Sequence, residues 1–176
     1  MGAPAGSDWR LIGLQSIALG AAQVATAGMP SALSSIDSIV PDSAVLAIEM
    51  PGKNDLMVED SDYPDITVYT PGQKFIEFTT RDMRPEVFRL AMGGTTTATL
   101  WRAPTAAVVC TEKSVRAISK AVAGQKFRVD IVRAAVRGGA NLRFSKTESG
   151  TVSFTCDVLR PIMAQTDFPI VIARIT

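Results

Sequence analysis

Apolar and polar residues alternate along most of the chain with a period of two, the spacing that sends successive side chains to opposite faces of a β-strand. Between Thr151 and Leu159, Val152, Phe154, Cys156 and Val158 alternate with Ser153, Thr155 and Asp157. Lys126 to Val136 is the longest regular run; there Phe127, Val129 and Ile131 share one face, and Lys126, Arg128 and Asp130 the other. Lys74–Thr80 repeats the pattern. The same reading predicts strands over Leu14–Leu19, Ala44–Met50, Asp65–Thr70, Thr95–Arg102, Thr105–Cys110, Asn141–Ser145 and Phe168–Ile175. Ser31–Asp42 reads as a connection or irregular edge, and Ser114–Ala121 fits either a helical turn or an extended edge.

The alternation breaks at Arg81–Gly94. Pro85 suits an early helical position, Glu86 favours the positive helix end, and Asp82 is placed to accept bonds from the first free amides. Val87, Leu90 and Ala91 fall on one face by their three- and four-residue spacing, and Gly93-Gly94 ends the helix. So short a helix must dock on a sheet to persist. Arg137-Gly138-Gly139-Ala140 reads as a hairpin turn, and Pro51-Gly52 and Pro71-Gly72 as further turns. The expected fold is mainly β: an antiparallel sandwich or partly open barrel, with one short helix over an end or seam. Residues 1–10 read as a flexible N-terminal tail and 11–176 as one domain with an extended loop at 53–65; no internal repeat is evident.

That loop, KNDLMVEDSDYPD, carries Leu56, Met57, Val58 and Tyr63 among the acids Glu59 and Asp60. An ordinary surface loop has little use for such an apolar group, whereas a loop that orders against another subunit would bury it inside a rim of carboxylates. Calcium is the rival reading for the carboxylates, but their spacing is not that of an EF-hand. Charge is unevenly spread. Asp37 to Asp65 holds eight acids and one base, and Leu100 to the C-terminus twelve bases and five acids. Solvated surfaces of opposite sign, or patches that meet between subunits, both follow from this.

Net charge of +1 argues against a strongly basic nucleic-acid binder. Without a histidine, no nucleophile–histidine pair exists, and Ser145 and Lys146, adjacent on a strand, would point apart. Cys110 and Cys156 read as buried thiols rather than a disulfide or zinc site. Glycine pairs follow the helix or join strands, the wrong places for a phosphate cradle. No enzymatic activity, cofactor or metal is expected. Neither is a membrane anchor: the apolar stretch near the N-terminus is interrupted by Gln15 and Gln23, and Gly6 stands where a myristoylation signal needs Ser or Thr.

In order of elements and local pattern, residues 12–175 resemble the tail tube (major tail) proteins of long-tailed bacteriophages. The likeness rests on a proline-glycine turn, a strand ending in a threonine-rich bend, the helix PEVFRLAMGG and the strands after it. The resemblance implies hexameric rings of identical subunits, stacked into a tube around a tape-measure protein, with tail-tip and terminator proteins as neighbours. It also implies assembly in the host cytoplasm, residence in the virion tail, and transient passage of DNA through the lumen without sequence-specific binding. By the same likeness Leu56, Met57, Val58, Glu59, Asp60 and Tyr63 belong to a ring-stacking loop. Lys74–Thr80 and Lys126–Val136 are candidates for the ring wall, with Glu77 and Asp130 as candidate lumen-facing acids. A tail terminator or connector ring protein, or a nucleic-acid- or carbohydrate-binding β-domain, are the alternatives.

Overall fold

Among the described residues, twelve strands and one helix follow in the order β1 (Leu14–Ala21), β2 (Ser34–Ile36), β3 (Val45–Ile48), β4 (Gly52–Met57), β5 (Pro64–Thr70), β6 (Lys74–Thr80), α1 (Pro85–Met92), β7 (Thr95–Thr96), β8 (Trp101–Arg102), β9 (Thr111–Ser119), β10 (Lys126–Asn141), β11 (Thr151–Val158) and β12 (Ile170–Ile175). This computed structural model describes residues 13–22, 28–57, 64–106, 110–122, 124–143, 145, 149–162 and 168–175, apart from the side chains of Met57, Pro64 and Asp65. The fold is mainly β, with antiparallel sheets and one short helix, as the alternation predicts.

One eight-stranded sheet, ordered β2-β1-β9-β10-β11-β6-β3, makes up the body, and β12 pairs with the first half of β10. β10 is its axis: it pairs with β9 along one side and with β12, then β11, along the other. Between Ile131 and Ala134 it carries an extra residue opposite β9, where Ile131 pairs with Val115 and Ala134 with Lys113. An odd insertion reverses parity, so the core face passes from Val129 and Ile131 to Ala134 and Val136 without leaving the interior. Ser114, buried beside this bulge, donates to the Val132 carbonyl at 2.6 Å. The sheet curls around a single core that unites Ile17, Leu19, Val115, Ile131, Phe78 and Phe154, the last two stacked at 4.6 Å. Among the described residues its far ends are tied by the Ile39–Thr80 bridge and by Val40 N–H to the Thr79 carbonyl (2.8 Å), not by a continuous ladder, and no closed barrel is formed.

Val87, Leu90 and Ala91 are the buried face of α1, as their spacing predicts, and Phe88 stacks on Trp101. The helix lies over Gly138, where a side-chain carbon would stand 2.6 Å from Ala91 Cβ and 2.8 Å from the Ser153 carbonyl. Gly138-Gly139 is therefore not the turn predicted for it. Arg137–Asn141 continues β10 against β11, and glycine is needed for the helix to approach. Other corrections are local. Asn141 ends β10 and no strand begins there; 105–106 and Cys110 are not strand, with 107–109 outside the described residues. Thr95–Arg102 is two short paired strands. Ser114–Ala121, whose sequence fits either a helical turn or an edge, belongs mostly to β9, an interior strand between β1 and β10.

A polar cluster fastens the seam at the head of α1. Asp82 accepts from the Asp37 amide (3.2 Å), the Arg84 amide (3.1 Å) and the Arg84 guanidinium, whose Nη2 also reaches the Ser35 carbonyl. Burial works to raise the Asp82 carboxyl, but the hydrogen bonds from Arg84 and Asp37 outweigh it and hold the group below its ordinary value. Thr80 Oγ1 donates to the Asp37 carbonyl at 2.5 Å, closing the same seam from β6.

Candidate assembly surface

Of residues 53–65, those at 53–57 and 64–65 are strand and not loop, and 58–63 lie outside the described residues. Lys53–Met57 lies in β4, which pairs with β5 from Gly52↔Thr70 to Met57↔Pro64, so the segment is an antiparallel hairpin arm. Register sorts its side chains. Residues directly opposite share a face, which puts Asn54, Leu56, Ile66 and Val68 on one side and Lys53, Asp55, Thr67 and Tyr69 on the other. The second side is satisfied within itself: Lys53 Nζ lies 2.7 Å from Asp55, and Thr67 Oγ1 donates to Asp55 at 2.6 Å. Hydrogen bonds from Lys53 and Thr67 hold the Asp55 carboxyl below its usual range.

On the first side the aliphatic residues have no cover: Leu56 is 57% exposed, Ile66 53% and Val68 45%. β4 and β5 form a sheet of their own, apart from that of the body. A lone two-stranded hairpin is marginal in water, so this arm calls for a surface to lie on. Its base is stiff. Pro51 and Pro71 flank it, Glu49 N–H bonds the Gln73 carbonyl at 2.9 Å, and a side chain at Gly72 would run into the carbonyls of Glu49 and Met50.

Among the described residues the body has borders without a further strand as well. β3, with Val45 and Ile48 about half exposed, ends the strand order beyond β6, and β12 (IVIARI) lies on the flank of β10 with Ile172 exposed and Phe168 just before it. β3 carries no charge, proline or bulge of the kind that usually blunts an edge, whereas β12 has Arg174 in register with buried Phe127 and is the better guarded of the two. Between the end of β11, the lead-in to β6 and the start of β12 opens a cleft of about 790 Å³ that includes Lys74, Arg137, Asp157 and Arg160 in its lining. Arg137 and Asp157 pair at 2.8 Å.

Of the residues assigned to the stacking loop, Leu56 is placed on the open face and Met57 ends β4; Val58, Glu59, Asp60 and Tyr63 lie outside the described residues. Ile66, Val68 and Tyr69 were missed as surface residues, although the alternation of 65–70 was in plain view. Glu77 is exposed on the outer face of β6, opposite Thr155 and, one strand further, Arg137. Asp130 is a correction. It is 5% exposed, held by Arg116 at 2.7 Å with Arg128 Nε 3.0 Å away, because register places Arg116 directly opposite and Arg128 shares its face. A buried carboxylate demands such partners, so it offers no bare charge to a channel. It also stands seven residues along β10 from the row of Glu77, about 20 Å at the rise of a strand.

Cys110 is exposed, against the expectation of burial, while Cys156 is buried and both are free. Burial and the neighbouring Asp157 push the Cys156 thiol up to about 12. Among the described residues no three His, Cys, Asp or Glu side chains gather as a metal site, and no helix is long and apolar enough to cross a membrane. No protein-family model matches the chain, and no curated protein shows significant sequence similarity to it.

Proposed function

We propose that this chain is a structural subunit that self-assembles, forming stacked, hexameric rings of the kind found in a phage tail tube, through which DNA is delivered. The observation that carries the proposal is the hairpin arm: a sheet of its own, polar on one face and satisfied there, aliphatic and uncovered on the other. Such a face has a use only when another surface covers it. The border at β3, open among the described residues, adds to this, since an edge left open in one copy can be completed by an identical neighbour in a closed ring. Glu77, exposed on the outer face of β6, is the candidate lumen acid, whereas Asp130 is buried and paired with Arg116.

Negative-stain microscopy and sedimentation of the purified chain over a concentration range test the reading. Uniform rings that stack into hollow rods are expected. Rings that never stack would instead favour a terminator or connector, and a monomer at every concentration would overturn self-assembly altogether.

A further inference from the structure

Resting on self-assembly, we infer that the receptor for the arm is the cleft between β11, β6 and β12 of a second copy. The aliphatic face of Leu56, Ile66 and Val68 supplies the insert, and Val158, Leu159 and Pro161 offer apolar lining on the receiving side. Charge matches as well. Gly52–Asp65 carries five acids against Lys53 alone. Among the described residues the cleft presents Lys74 and Arg160 beside the Arg137–Asp157 ion pair. An apolar strand pair from an acid-rich stretch of sequence thus meets an apolar cleft with basic lining, the arrangement that fixes register and excludes like-charged partners.

The arm cannot serve its own cleft. Pro71 and Gly72 line the cleft and also form the stiff arm base, where Gly72 is packed against the Glu49 and Met50 carbonyls. Bending the arm back would need a hinge where Gly72 is closely packed against those carbonyls. Insert and receptor are therefore different surfaces of one chain, and the contact is head-to-tail.

Two variants separate the halves of this contact: Ile66→Ser with Val68→Ser removes the insert, and Lys74→Glu with Arg160→Glu reverses the receptor. All four positions are on the surface or edge, and circular dichroism with a thermal melt verifies that each variant folds. By sedimentation velocity, each alone should self-associate at least tenfold more weakly than the wild type. Mixed one to one they should associate more tightly than either variant alone, because one intact arm meets one intact cleft, yet fall short of the wild type. Wild-type self-association left unchanged by Lys74→Glu with Arg160→Glu, or a mixture that stays monomeric, overturns the cleft as receptor while leaving assembly standing. A wild-type chain that never associates overturns both.

Discussion

The body and the hairpin arm come from the same kind of alternating sequence and differ in what becomes of the apolar face. In the body, Val136, Cys156, Ile76 and Leu46 form a row across β10, β11, β6 and β3, turned inward over the core. In the arm, Leu56 opposite Ile66 forms an equivalent pair with nothing over it. Alternation thus specifies that an apolar face exists; whether it is covered depends on how many strands curl round it. A sheet this wide can wrap on its own interior, whereas two strands have no such means and must borrow a surface.

The comparison breaks most sharply at Phe154. Replacing it with Ala should cost about 3–5 kcal/mol in urea unfolding, because Phe78 loses its stacking partner and a cavity opens in the core. Asp82→Asn comes next, at about 2 kcal/mol near neutral pH, since Arg84 and the Asp37 amide lose a charged acceptor. The folded-state carboxyl titrates below its ordinary 3.8, so its contribution is present above that pH and is lost as pH falls through the folded value. The gap between wild type and Asp82→Asn should accordingly narrow between pH 7 and strongly acidic conditions, measured by urea titration at each pH; a constant gap would remove the ionised cluster from the account of the seam.

Gly138→Ala should cost about 1–2 kcal/mol, as the new methyl group forces α1 from β10. In the arm, by contrast, Ile66→Ser with Val68→Ser should leave the unfolding free energy of the dilute monomer within about 0.5 kcal/mol of wild type. A larger loss would show the arm to be packed on its own body in solution. The mildest probe is chemical. One thiol, Cys110, should react with a disulfide reagent in the folded chain and two after unfolding, because Cys156 is buried and held protonated.

Much of the local structure was legible from residue spacing. Lys74–Thr80 and Pro85–Met92 end where alternation, proline and glycine place their limits. Failures fell where a local signal had two meanings. Gly138-Gly139 carries the mark of a turn, yet glycine also serves where a helix must approach a strand, and only the position of Ala91 distinguishes them. Asp130 alternates like a surface residue, but its exposure depends on Arg116, fourteen positions earlier and brought opposite by the pairing of β9 with β10. The acids of 53–65 masked a strand because charge signals a loop only on average; the partner residues in 64–70 supply the ladder that makes it one.

Sequence by itself determined the period, the faces and the one helix, because these depend on backbone geometry repeated every two or four residues. Tertiary structure alone decided which faces are covered, which edges stay open and which charges are neutralised. Those outcomes depend on register between strands far apart in the chain, and a single bulged residue between Ile131 and Ala134 is enough to change the parity on which they rest.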